Sequence, residues 1–365
     1  MCRSVVYMVE LIVYDKNIDP LGIIDTENSL LWERRFYEAG YFEIHLPPTG
    51  DNNALAVTKN YIMRTDARES GVIIYVGKNT ESDGTTDVTV IGRFLSYLLH
   101  GHIVRSAETH TGNAEDIMRQ LVEDVCIEGA EQDMIPGLAL GAHSGSENTV
   151  TVRLEYPDLH DALREIARLS GVGFIIELDP NTGALVFSCR AGKDSSAGQT
   201  VNPQVIFSPE YDSIVGGVSA TNDNSSTVNA VTMRYSGEFG EVVTRYDPAG
   251  KTGTELHEIC VTTDQCRTRT VEGVTVLDVP GTIALLQTLA PQYITPERYE
   301  VAASVSRSGS YEYKTDYDIG DIVTVQYEPF GITLDRRIHK IQENYSEIGI
   351  ETVPVLGDIY PAEIT

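Results

Sequence analysis

Apolar and polar residues alternate with period two through much of the first hundred positions. The clearest case is Tyr41-Phe42-Glu43-Ile44-His45-Leu46, closed by Pro47 and Pro48. Alternation that stops at proline marks a half-buried strand, because successive side chains of a strand point to opposite faces. Similar short runs occupy residues 11–14, 21–24, 61–64, 72–76 and 88–91, and Trp32 marks one more before Gly40. Many short strands separated by Gly, Asn and Asp turns predict a barrel or a sandwich.

The period changes after Gly101. Asn113 is placed to cap a helix over residues 114–126, with Ile117, Leu121 and Val125 on one face. A second helix is expected over residues 157–170, with Pro157 at its first position and Gly171 at its end. A hairpin over 174–178 and 184–189 follows, and residues 191–203 (AGKDSSAGQTVNP) read as a linker. Strands resume at 205–207 and 228–235, a short helix fits 280–290, and a last strand group covers 299–355.

One internal echo stands out. Ile73, Val76, Gly84, Val88, Val90 and Gly92 match Ile338, Ile341, Gly349, Val353, Val355 and Gly357, every pair 265 positions apart. Each copy reads as a hairpin, so the chain is expected to contain two similar barrels. The expected fold is mainly β with an α+β insertion: two similar β-barrel domains plus a small two-helix-and-hairpin domain. The divisions are 1–100 for the N-terminal barrel, 101–190 for the insertion and 191–203 for the linker. Residues 204–298 form a β-rich peripheral part that opens the second barrel, and 299–365 supply its remaining strands.

Length and composition narrow the function. A chain of 365 residues has room for two or three domains. No apolar run approaches the roughly 18 residues that span a bilayer, and residues 1–8 are too short for a secretory signal. Asp and Glu number 54 against 27 Lys and Arg, a formal charge of −27. Such a surface offers phosphates few cations, which argues against nucleic-acid binding. The five cysteines (Cys2, Cys126, Cys189, Cys260, Cys266) are odd in number and irregular in spacing, so no disulfide framework is expected.

Candidate chemistry is sparse. The chain has no phosphate loop, no dinucleotide fingerprint and no nucleophile elbow. His100 and His102 lie close, with nothing nearby in sequence to complete a metal shell. His257, Cys260 and Cys266 match no standard zinc spacing. Asp316, Asp318 and Asp321 crowd one turn but lack the alternation of a calcium loop. No catalytic, cofactor or metal residues are therefore assigned. Trp32, Arg34, Arg35 and Phe42 are the candidate interface, because an aromatic beside paired arginines is what a protein contact uses.

The same stretch carries a resemblance. Leu31-Trp32-x-Arg34-Arg35-Phe36-Tyr37-Glu38-x-Gly40-x-Phe42-Glu43-Ile44-x-Leu46-Pro47 resembles the N-terminal signature of tail-hub proteins of long-tailed bacteriophages. Val88 to Arg93 and Asp318 to Val325 fit the same family at the expected distances. Similar chains begin near Met8, so residues 1–7 read as an extension. The resemblance implies a structural homotrimer, in which two similar barrels per chain imitate a six-fold ring. It implies contacts with a tail tube or distal tail protein and with tail-tip or fibre proteins. It also implies a place in the virion tail after assembly in the host cytoplasm, and an acidic bore that DNA crosses without specific binding. The alternatives are a tail-associated cell-wall or glycan hydrolase and a receptor- or carbohydrate-binding tail protein.

Overall fold

The computed structural model describes residues 9–80, 82, 84–306, 310–346 and 349–357. The expected extension at residues 1–7 lies outside them. Twelve strands carry the architecture, in two runs of six. The first run is β1 (Leu11–Tyr14), β2 (Ser29–Arg35), β3 (Tyr41–Leu46), β4 (Tyr61–Arg64), β5 (Ser70–Thr80) and β6 (Thr86–Phe94). The second is β7 (Ile206–Phe207), β8 (Ile214–Asp223), β9 (Arg298–Val305), β10 (Ile322–Tyr327), β11 (Ile332–Ser346) and β12 (Gly349–Gly357). With Pro20–Ile24, which pairs with β1, they form one 13-stranded sheet.

The two runs share a lateral order. In the first, neighbours follow β1-β4-β5-β6-β3-β2. In the second they follow β7-β10-β11-β12-β9-β8. Each strand thus corresponds to the one six labels later. One direction differs: β1 runs antiparallel to β4, whereas β7 runs parallel to β10.

The runs meet where β2 pairs with β11, from Ser29 opposite Ser346 to Arg35 opposite Lys340. This pairing is possible because β11 changes partner along its length. Ile332 to Arg337 pair with β10, the register against β12 shifts at His339, and Lys340 to Ser346 pair with β2. A bulge of this kind re-aims a strand. β5 has a bulge too, at Ile74, and Ile74 and His339 are 265 positions apart. The echo therefore holds for the first strand of each hairpin. In the second strand it slips by one. Val76 faces Val90, but Ile341 faces Pro354 rather than Val355, because the second turn is one residue shorter.

Among the described residues neither run closes into a barrel. The free side of β2, which would have to meet β1, is occupied by β11 instead.

Two insertions interrupt the sheet. Between β6 and β7, helices Ala114–Val122 and Leu159–Ser170 pack with the hairpin Gly173–Asp179 and Ala184–Arg190. Asn113 caps the first helix as expected, accepting from the Asp116 amide at 3.2 Å. That helix ends as a single wide turn, Glu123–Ile127. The second helix starts at Leu159 rather than at Pro157, capped by Asp158, which accepts from the His160 amide at 2.9 Å. The segment expected to be a linker is docked. Ser195 is fully buried and its amide donates to the Ile322 carbonyl at 2.8 Å. The segment's backbone makes the contact in both directions, since the Ile322 amide donates to the Lys193 carbonyl at 2.9 Å. Between β8 and β9, strands Ala230–Gly237, Gly240–Tyr246 and Glu258–Thr263 and helix Val279–Leu289 enclose a small separate core.

Candidate assembly interface

Trp32, Arg34 and Phe42 are internal to one protomer. Trp32 and Phe42 expose nothing and Arg34 exposes 2% of its surface, so none of them meets a second chain directly. This corrects the expected interface. The reason is that Trp32 and Phe42 face a core built almost wholly from residues 9–94, joined by Tyr345, while Arg34 is enclosed by Glu69, Tyr313 and Asp318. Trp32 stacks on Phe42 at 5.5 Å and packs tilted against Phe94 at 4.7 Å between ring centres. Arg35 alone remains partly exposed; it pairs with Glu33 and Glu38 at 2.6 and 2.7 Å.

Two buried ionic clusters secure the junction. In the first, Arg34 pairs with Glu69 at 2.8 Å and with Asp318 at 2.5 Å, and donates to the Tyr313 hydroxyl at 2.8 Å. Arg190 of the insertion joins Glu69 at 3.3 Å. Burial opposes the charge on Glu69, but Arg34 and Arg190 outweigh it and bring its pKa down to about 2. In the second, Arg64 meets Glu343 at 3.2 Å and Asp66 at 2.7 Å. Its guanidinium also lies 5.0 Å from the Trp32 ring centre and 4.9 Å from that of Tyr345, within cation–π range. Buried charges persist only when paired in this way. Spacing could not reveal these partners, since Arg34 and Asp318 are 284 positions apart.

The other candidates resolve case by case. The Asp318 and Asp321 carboxylates are engaged by the protein: Asp318 by Arg34, Asp321 by the Lys193 and Asp318 amides. Asp316 accepts from the Glu312 amide at 2.7 Å. His257 and Cys260 are exposed on the peripheral sheet. With Cys266 they do not form a ligand group among the described residues. His100 is different. Its ring stacks on His160 at 3.9 Å, and His100, His160 and Asp161 place ligand atoms within 4.8 Å of one another. Sequence spacing missed this because His160 comes from the second helix of the insertion, Leu159–Ser170. Three such donors could hold a metal, one fewer than a closed zinc site uses.

Several strand edges remain open among the described residues: Pro20–Ile24 ends the large sheet on one side with Leu21 and Ile23 exposed, and two further edges belong to β8 and β5. β8 pairs on one side only, with β9, and carries exposed Val215 and Ala220. β5 pairs with β4 only as far as Val72; from Tyr75 to Thr80 it has β6 alone. Ile74 and Tyr75 there expose 41% and 52% of their surface. Among the described residues no second strand covers either edge.

The fold is shared with tail proteins. The tail protein from Neisseria meningitidis MC58 matches with a TM-score of 0.58 and 16% identity, over 96% of this chain and 97% of that one. The 43 kDa tail protein of prophage MuSo2 from Shewanella oneidensis matches with a TM-score of 0.54 and 12% identity, over 97% and 98%. Prophage tail protein gp18 from Listeria monocytogenes EGD-e matches with a TM-score of 0.50 and 15% identity, over 97% and 95%. No curated protein sequence matches at a significant level. The sequence profile of the siphovirus ReqiPepy6 Gp37-like proteins matches residues 10–358. The chain belongs to this family of siphovirus tail proteins.

Proposed function

We propose that this protein is the structural hub of a phage tail. Three copies form a ring that joins a six-fold tail tube to a three-fold tip. The observation that carries this reading is the repeated strand order, β1-β4-β5-β6-β3-β2 and β7-β10-β11-β12-β9-β8. Two units of one design per chain give a trimer six comparable units, which is what a six-fold partner requires of its neighbour. Cyclic closure of such units leaves a passage on the axis. A chain of net charge −27 would repel DNA phosphate along that passage rather than retain it.

In this reading, residues 9–94 form one unit and β7–β12 the other. The segments between β6 and β7 and between β8 and β9 stand outside the ring. They would meet the tail tube or distal tail protein on one side and tip or fibre proteins on the other. The protein has a scaffolding role and no catalytic one, and it resides in the virion tail. Tyr313 and Tyr317, two aromatics on which a glycan-binding reading would draw, are buried, exposing 6% and 1%.

Light scattering of the purified chain tests the proposal. The expected mass is three times the 40.1 kDa of one chain. A single-chain mass at high concentration would refute it.

A further inference from the structure

The β2·β11 junction inside the chain is a template for a contact between chains. Its β11 half consists of a strand that leaves its first partner, bulges at His339 and offers Lys340 to Ser346 to a new one. β5 repeats this design up to the last step. It leaves β4 at Val72, bulges at Ile74 and then offers Tyr75 to Thr80 to nothing in its own chain. The other half of the junction is β2, the last strand of the first unit. Its counterpart is β8, the last strand of the second, which is likewise open on its outer side.

We infer that β8 of one protomer pairs antiparallel with the Tyr75–Thr80 half of β5 of a second copy. The inference rests on the trimeric reading above and names the surface that makes it. The register follows from the internal template, carried across by the observed strand pairings. Tyr75 lies opposite Asp223, Gly77 opposite Thr221, Lys78 opposite Ala220, Asn79 opposite Ser219 and Thr80 opposite Val218.

Three observations favour this occupant. First, face polarity agrees. Val218 and Ala220 pair with the buried Ala303 and Val301, so they share the core face, and Val76 corresponds to the buried Ile341. The opposite face is polar in both junctions: Tyr75, Asn79, Ser219 and Asp223 here, against Lys340, Gln342 and Glu33 inside the chain. Second, β8 (IVGGVSATND) carries no lysine or proline and its irregular register lies before Val218, outside the proposed pairing; the one lysine of the two edges is Lys78 of β5. Third, the two edges differ and lie on different units, so their pairing is head-to-tail. Such contacts propagate from chain to chain and close as a ring when the rotation between copies permits, which the trimeric reading requires. Backbone pairing supplies the affinity and the alternating side chains fix the register.

Site-directed cross-linking of the full chain tests it. Ser219→Cys and Asn79→Cys are made separately, each with Cys2, Cys260 and Cys266 replaced by Ser, then mixed, allowed to re-equilibrate and oxidised. The expected result is a reducible dimer band from the mixture and none from either variant alone. A chain carrying both substitutions should give covalent species up to the trimer. A trimeric mass without the mixed dimer overturns this pairing and leaves the hub reading intact. A single-chain mass before and after oxidation overturns both. Ala220→Pro separates pairing from folding, because an edge strand tolerates proline while proline blocks the addition of a further strand. It is expected to lower the trimer mass to that of one chain with an unchanged far-ultraviolet spectrum. A trimer that survives this change contradicts the pairing.

Discussion

Arg64 of β4 and Glu343 of β11 lie 3.2 Å apart, and neither side chain reaches solvent. The pair ties the first strand run to the second. The Tyr345 hydroxyl donates to Glu343 at 2.7 Å and accepts from Arg64 at 2.7 Å, so the ion pair is held from a third side. Removing one partner strands the other charge. Glu343→Gln is expected to cost about 3 kcal/mol, at the lower end for a broken buried pair because Asp66 still faces Arg64. The double replacement Arg64→Met with Glu343→Leu should recover most of that loss. Urea midpoints of the three chains check both statements.

Acid should weaken the fold in two stages. Burial pushes the His339 pKa down from 6.5 to about 4. Between those values the unfolded chain binds a proton at His339 and the folded chain does not, so stability falls as pH falls from 6.5 to 4. Glu69 follows. Its pKa is about 2 in the fold against 4.5 ordinarily, so its contribution is complete above 4.5 and is lost as pH drops towards 2. His339→Gln is expected to flatten the upper stage alone. Denaturation midpoints measured across pH 7 to 3 would show it.

Gly92 and Gly71 make room for the Phe42 ring. A Cβ on Gly92 would come within 2.0 Å of that ring and 2.5 Å of the Val72 carbonyl; on Gly71 it would come within 2.5 Å of the ring. The nearest obstacles include backbone, so the neighbours cannot simply turn aside. Gly92→Ala is expected to cost roughly 1–3 kcal/mol through overpacking. Gly50→Ala, where nothing lies within 4 Å, should cost nothing. Thermal melts distinguish the two.

The thiols should react in a fixed order. Burial pushes Cys126 and Cys189 up to about 12, so almost no thiolate forms at pH 8. Cys260 is exposed. Iodoacetamide at pH 8 is expected to alkylate Cys260 in the native protein, and Cys126 and Cys189 only after denaturation. Peptide mass mapping reads the order directly.

Local order was legible because it depends on neighbours in sequence. The strands Leu11–Tyr14, Tyr41–Leu46 and Tyr61–Arg64 fall where alternation and turn residues place them. The hairpin Gly173–Asp179 and Ala184–Arg190 and the helix end at Gly171 do so too. The family was legible for a similar reason, since its signature is one continuous stretch. Lateral pairing was not. That β2 lies beside β11 depends on a bulge at His339, which leaves no mark in the hydrophobic pattern. Trp32 and Arg34 read as a surface contact for the same reason: the side chains that close over them, Phe94 on Trp32 and Tyr313 and Asp318 on Arg34, are brought there by pairing that sequence spacing does not show. The segment 191–203 reads as a linker because its polar side chains give no sign that its backbone bonds to β10.

Negative-stain images of the purified protein put the central claim to its most direct test. Class averages should show a three-fold ring with six comparable densities around an open centre. A compact particle without a hole, or a ring whose symmetry is not three-fold, would contradict the account.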